Sequence, residues 1–320
     1  MRLSWPKDTR PTKVCYHKTV RLKMKNTKPK YNSSFSVKPL ECPVCGQSMA
    51  FSGQADYYDR AGPYKTPIHF CKSCDIFYRQ VDDARRLDHF HAASYVQRTN
   101  EQDLFHTRIK FFRYVLSLVE KYAKAEFRDA HRSLRLVDFG SSYGHLLELA
   151  EDNGMCAVGI EINEDLLASC KRKGMVVYKD LKELPEKVDA VTLIDSLYYV
   201  PDCRAVLADI RKRLSAGGIL IVRVTNRNLY ARFMGKYVSR GDFTTIGDAI
   251  VGYSVRGMRK LLALTGLRIL KIIPDYGKGK RLGVRKKLLY WVGYALTLLA
   301  VKRVILTPGI IVVARVGIVT

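Results

Sequence analysis

Carboxylates are nearly missing from both ends of this 320-residue chain. Asp8 is the single acid among residues 1–30, against ten Lys/Arg, and Asp275 the single acid over 250–320, against fourteen. Most of the formal net charge of +25 therefore sits at the ends, and the middle is close to neutral. Such ends attract polyanions (nucleic acid, anionic lipid, a phosphorylated substrate) or serve as solvated tails. A secretory apolar core is also missing near the N-terminus, where Lys and Arg punctuate the sequence throughout. Basic and almost acid-free, that segment mildly resembles an organelle transit peptide, and a disordered extension accounts for it equally well. Long apolar runs are absent too. The longest, 288–301, is fenced by Lys286-Lys287 and Lys302-Arg303. It would reach about 21 Å as a helix, short of a hydrocarbon core of about 30 Å, and is not read as membrane-spanning. There is no internal repeat and no low-complexity tract beyond the basic N-terminus. Apolar content is not lacking: at 47% hydrophobic residues the chain can build a full core, which excludes global disorder.

Four zones follow from the patterning. Residues 1–38 are polar, basic and aperiodic, and a disordered extension is expected there. Residues 39–80 carry two Cys pairs in turn-rich sequence. Residues 81–130 form a helical linker or lid, with Ile109, Phe112, Val115, Leu116, Val119 and Tyr122 near helical spacing. From 131 to 320 strands and helices alternate. Strands are expected at 134–138, 156–161, 175–178, 188–195 and 219–224, with later ones at 267–273 and 309–316. Helices are expected at 145–153, 164–173 and 204–214. Alternation of this length predicts an α/β domain whose mostly parallel, seven-stranded sheet is covered on both faces.

The first of these strands ends in Val-Asp-Phe-Gly-Ser-Ser-Tyr-Gly over 137–144. Gly140 permits backbone conformations and a close ligand approach that a Cβ would block. Gly144 sits where the following helix packs near the strand. Glu161, 21 residues beyond Gly140 at the tip of the second strand, can accept both hydrogens of a ribose diol. The dinucleotide pattern Gly-x-Gly-x-x-Gly is absent, because Ser142 stands at its second glycine. Asp138, two residues before the first glycine, would repel a pyrophosphate and suits a cationic cofactor.

On these residues the chain resembles the class I S-adenosylmethionine-dependent methyltransferases, whose first motif is an acidic-x-Gly-x-x-x-Gly loop. The resemblance runs from about residue 42 to about residue 266 and implies a Rossmann-like fold. It places Asp138, Gly140, Ser142 and Gly144 around the methionine and adenosine moieties of S-adenosylmethionine (SAM), Glu161 at the ribose and Asp180 near the adenine amine. Asp195, at the end of the fourth strand, would face the cofactor and the active site. Leu-Ser-Ala-Gly-Gly over 214–218 resembles the family's Leu-x-Pro-Gly-Gly turn, with Ala216 in place of proline. Many relatives carry Glu-His where this chain has Tyr198-Tyr199. Tyrosine, with a reference pKa of about 10, is a poor base, so the general base is left open. Asp195 and Tyr199 are the candidate catalytic residues.

Cys42-Pro-Val-Cys45 and Cys71-Lys-Ser-Cys74 are two Cys-x-x-Cys knuckles separated by 25 residues. Two thiolates from one turn can meet a tetrahedral metal at about 2.3 Å, and the second knuckle closes the shell. Cys42, Cys45, Cys71 and Cys74 are accordingly expected to hold a structural zinc in an N-terminal ribbon module. Disulfides are disfavoured by an intracellular cofactor and by the scattered single Cys15, Cys156, Cys170 and Cys203. A zinc ribbon ahead of such a domain, followed by a segment like Ser94-Tyr95, resembles a bacterial-type subgroup linked to sugar and secondary-metabolite methylation.

The leading expectation is thus a cytoplasmic SAM-dependent methyltransferase acting on a small-molecule acceptor such as a nucleotide- or lipid-linked sugar. An RNA methyltransferase using the ribbon and the basic ends is the alternative. The body lacks an Asn/Asp-Pro-Pro-Tyr/Phe motif for flipped bases. A cofactor-binding protein that has lost catalysis is a third reading. The apolar-basic helix over 285–303, with Tyr290, Trp291 and Tyr294, reads as core packing or as attachment to an anionic membrane surface, peripheral to its inner face.

Overall fold

The computed structural model describes residues 40–92, 100–123, 133–184, 187–227, 247–275, 284–299 and 305–317. The extension expected over 1–38 and the Ser94-Tyr95 segment lie outside the described residues.

The chain opens with a small antiparallel sheet of β1 (Ala50–Asp59), β2 (Gly62–Cys71) and β3 (Ile76–Arg79). Two cysteine knuckles bracket it, the first before β1 and the second between β2 and β3. Each knuckle is followed by a left-handed residue, Gly46 (φ 73°) and Asp75 (φ 54°). Both types tolerate that region, and it lets the chain double back over the sulfurs. Two helices follow, α1 (Asp83–Asp88) and the 23-residue α2 (Glu101–Ala123). Helical structure expected within 81–130 is therefore present among the described residues.

The second half alternates as expected: β4 (Arg135–Phe139), α3 (His145–Asp152), β5 (Cys156–Ile160), α4 (Glu164–Arg172), β6 (Val177–Tyr178), β7 (Val188–Ile194), α5 (Cys203–Arg213) and β8 (Leu214–Thr225). Then come β9 (Val251–Gly252), α6 (Val255–Leu264), β10 (Leu267–Asp275), α7 (Val284–Leu299) and β11 (Gly309–Val316). Short polar side chains start the helices. Asn163 accepts from the Asp165 and Leu166 amides, Asp202 from Ala205 and Ser254 from Gly257.

Seven strands form one sheet in the order β10-β11-β8-β7-β4-β5-β6, with β11 antiparallel to both neighbours and the rest parallel. This is the mixed α/β, Rossmann-like architecture read from the sequence. All seven residues of β7 are buried, as a central strand covered on both faces requires. Strand order reverses at β4, so the crevice lies at the carboxyl ends of β4, β5 and β7.

The ribbon is not a detached module. β9, from the second half of the chain, pairs with β3 and completes the small sheet. Cys42, Val44, Cys74 and Ile76 share one buried cluster with Val137, Leu193, Met258 and Leu261. Helix α6 meets the second knuckle closely: a Cβ at Gly257 would lie 2.4 Å from Ile76 Cγ2 and 3.0 Å from the Cys74 carbonyl oxygen. Lys260 Nζ donates to Ser73 Oγ at 2.7 Å.

Candidate active site

A cavity of about 440 Å³ opens at the carboxyl ends of β4, β5 and β7. That is large enough for a nucleoside-sized ligand together with part of a second molecule. At one end lies the glycine loop, with Gly140 (φ 82°), Ser142 (φ 52°) and Gly144 (φ 80°) all left-handed. The two glycines are needed for different reasons. A Cβ at Gly140 would sit 2.7 Å from Ser196 Cβ at the cavity wall, and one at Gly144 would strike Met175 Sδ at 2.2 Å. Gly144 therefore serves packing against the chain entering β6, and Gly140 keeps the cavity open.

Asp138 is buried, and Thr192 Oγ1 donates to its Oδ1 at 2.7 Å. Burial pushes its carboxyl up to about 7; Thr192 opposes the shift and the nearby Glu161 adds to it. Glu161 is buried as well, with Oε2 accepting from the Ser142 amide and Oε1 from the Asn163 amide, each at 2.8 Å. Burial raises its carboxyl, and those amides hold it down. Among the described residues no cationic side chain hydrogen-bonds to either carboxyl, an arrangement that suits a cationic ligand. Ser141 and Ser196 also line the cavity, and each buries a hydroxyl without a hydrogen-bond partner among the described residues. Asp180 lines the same end, one oxygen accepting from the Lys182 amide at 2.9 Å as the cap of a short turn.

Asp195 closes the crevice at the end of β7 in a left-handed conformation (φ 61°). Arg108 of α2 donates to its Oδ2 at 2.8 Å, and Arg223 of β8 to its Oδ1. Arg223 is buried and also reaches Asp275 Oδ2, at 2.9 Å from Nε. Against the cost of burial, Asp195 and Asp275 hold its guanidinium above the usual range. The four side chains form a charge chain from the sheet interior to the cavity.

The far end is aromatic. Tyr198 and Tyr199 stand 4.6 Å apart between ring centroids, and Phe90 meets Tyr199 edge-on at 5.4 Å. Phe112 and Leu104 of α2 complete that wall. Burial pushes the Tyr198 hydroxyl well above its usual range, with Asp195 and Asp248 adding to the shift. Tyr199 Oη donates to Asp248 Oδ2 at 2.9 Å. The crevice thus brings together Asp138, Gly140, Ser142, Glu161, Asp180, Asp195 and Tyr199, all singled out in the sequence. It adds Ser141, Ser196 and Arg108, which were not, and behind its lining stand Thr192, Arg223, Asp248 and His89. No local motif marks these last residues; only the fold makes them neighbours.

The four cysteines expected to bind metal lie together, with all four sulfurs within 4.8 Å of one another. Cys45 and Cys71 Sγ are 3.8 Å apart, which matches the edge of about 3.8 Å of a tetrahedron with metal–sulfur bonds of about 2.3 Å. The Cys74 amide donates to Cys71 Sγ at 3.4 Å. Cys42, Cys71 and Cys74 are buried. The donor set fits a closed tetrahedral cation site.

A family model described as a methyltransferase domain matches residues 106–272. The ubiquinone biosynthesis O-methyltransferase of Methylococcus capsulatus is 32% identical over 122 residues, which cover 34% of this chain and 52% of that protein. The chain thus spans about half the length of that curated relative. Among solved structures, magnesium protoporphyrin IX methyltransferase from Synechocystis PCC 6803 with bound SAM is 16% identical, covers 74% of this chain and 98% of its own, and superposes with a TM-score of 0.47. The plantazolicin methyltransferase BamL is 12% identical, covers 70% and 88%, and gives 0.46.

Proposed function

This chain belongs to the SAM-dependent methyltransferases, and from that premise we propose that it methylates a small-molecule acceptor such as a nucleotide- or lipid-linked sugar. The observation that carries the reading is the two-ended cavity, with buried Asp138 and Glu161 at one end and aromatic side chains at the other. When bound, SAM supplies a methyl group made electrophilic by its sulfonium. Asp138 and the 140–144 loop hold the methionine and sulfonium side of the donor. Glu161 orients the ribose while its oxygens pin the Ser142 and Asn163 amides, and Asp180 lies toward the adenine. Ser141 and Ser196 offer their unpartnered hydroxyls to the donor. Asp195, with both oxygens engaged by Arg108 and Arg223, orients the crevice rather than taking a proton. Catalysis then rests on alignment of acceptor and methyl in a dry, shaped cavity.

Cys42, Cys45, Cys71 and Cys74 hold a structural zinc in this reading, since four thiolates leave no open position. Helix α7 is the candidate membrane contact. Leu288, Trp291, Leu298 and Leu299 are exposed, while Thr297 and Gly293 are its buried positions. An RNA acceptor is less well served, because the acceptor end is walled by Phe90, Phe112 and paired tyrosines. Labelled SAM offered separately with a small-molecule extract and with total RNA distinguishes the two. Label is expected in the small-molecule fraction, and label confined to RNA would overturn the proposal.

A further inference from the structure

We propose that Tyr199, Asp248 and His89 form a proton relay leading out of the acceptor end of the cavity, and that the acceptor is therefore a hydroxyl compound. This deepens the methyl-transfer reading and rests on it. Transfer to a hydroxyl oxygen must dispose of a proton, and at neutral pH a positioned group has to receive it. Neither Asp195, held by two guanidiniums, nor Tyr198 is placed to do so.

Tyr199 lines the cavity, and its hydroxyl donates to Asp248 Oδ2 at 2.9 Å. His89 Nε2 lies 3.4 Å from that same oxygen. On the other side of the ring, Nδ1 is 2.6 Å from the Tyr58 carbonyl oxygen. A carbonyl only accepts, so Nδ1 carries a hydrogen and Nε2 is the nitrogen that faces Asp248. The imidazole is fully buried, stacked on Tyr57 at 4.6 Å between centroids. Buried Arg79 donates to the Gly247 and Ala249 carbonyls at 2.6 and 3.1 Å and so fixes the backbone on both sides of Asp248. Arg79 and Arg227 add positive field at Asp248, and Tyr57 and Tyr198 also lie near it.

The step balances as follows. The acceptor oxygen forms its bond to the methyl carbon as the carbon–sulfur bond breaks, with those electrons staying on sulfur. The acceptor's proton passes to Tyr199 Oη while the proton of Tyr199 moves to Asp248 Oδ2 and on to His89 Nε2. The imidazolium so formed is paired with the Asp248 carboxylate and, being buried, returns the proton through Asp248 and Tyr199 to the cavity once the product has left. Tyr199 is the member that meets the acceptor; Asp248 and His89 act through it as positioning residues.

Nitrogen-15 histidine spectra of the full chain test the relay without any acceptor. His89 is expected to carry its hydrogen on Nδ1, and Asp248→Asn to shift the signal of Nε2, the nitrogen that faces that carboxylate. A neutral Nε2–H tautomer, or an Nε2 signal unmoved by Asp248→Asn, would overturn it. Rates are then measured with labelled SAM and the small-molecule extract. Tyr199→Phe and Asp248→Asn should each reduce transfer about 100-fold or more, Asp248→Glu should recover part of it, and SAM affinity by calorimetry should stay within about twofold. Normal transfer in both variants with SAM bound would sink the relay alone, whereas failure of the wild-type chain to bind SAM would sink the methyltransferase reading beneath it.

Discussion

Asp138 shows how a single residue can be built for its ligand at the expense of the empty protein. Its carboxyl is pushed up to about 7 by burial. A carboxyl raised in the folded state holds a proton there that the unfolded chain releases. Its contribution therefore favours folding at low pH and is lost as pH rises from the ordinary carboxylate range through about 7. A cationic ligand, in contrast, prefers the ionised form. SAM affinity should thus rise between pH 6 and pH 7.5, by up to about tenfold per unit below 7, and then level off. Calorimetry across that range checks this, and a flat profile would contradict it. The companion expectation is that Asp138→Asn raises the ligand-free Tm at pH 8 by several degrees while weakening SAM binding. A lower Tm would count against a buried, ionised carboxylate. Asp138 and Glu161 were legible in the sequence because they stand at fixed offsets from Gly140. Thr192 was not, since a threonine inside an apolar strand reads as an ordinary β-former. Arg223 was hidden in the same way, and only its neighbours Asp195 and Asp275 explain a guanidinium in a buried strand.

At the level of elements, the strands of the large sheet and the helices between them fell where alternation placed them, because apolar runs and glycine stops act locally. What the alternation could not show is β9. Two residues, Val251 and Gly252, pair with β3 across more than 170 positions of sequence and join the ribbon to the catalytic half. Loop-closing contacts of that span leave no periodic trace. Gly257 is the test of this joint. Its Cβ would lie 2.4 Å from Ile76 Cγ2 and 3.0 Å from backbone at Cys74, so Gly257→Ala should cost about 1–3 kcal/mol. Adding Ile76→Leu, which removes Cγ2 at nearly constant volume, should recover part of that loss, a coupling that thermal or urea unfolding of the four proteins would read. Additive losses would show that the two residues do not press on each other.

For the molecule as a whole, helix α2 and the Rossmann-like sheet line one cavity, and the cysteine-bearing small sheet shares a buried core with the large one. Arg79, at the end of the ribbon's third strand, fixes the backbone around Asp248. Stripping metal from the cysteine cluster, or Cys71→Ser, should therefore remove about one zinc per chain by elemental analysis and slow methyl transfer more than it weakens SAM binding. Equal losses in both, or no metal in the wild-type chain, would separate the cluster from the acceptor wall. Helix α7 is a second whole-molecule device. Among the described residues no helix is long and apolar enough to cross a membrane, yet Leu288, Trp291 and Leu299 are more than 60% exposed. Such a helix suits an interface rather than a span, and the sequence adds basic residues at 285–287 and 302–303. Sedimentation with anionic vesicles should carry the protein down, Trp291→Ser with Leu288→Ser should abolish this, and equal sedimentation with neutral vesicles would contradict the charge argument.

The central claim is that buried Asp138 and Glu161 make the donor end of the cavity a seat for SAM. Calorimetric titration of the full chain with SAM at pH 7.5 tests it most directly. One site per chain is predicted, weakened at least about tenfold by Asp138→Ala and by Glu161→Ala; unchanged binding in both variants would place the donor elsewhere and contradict the account.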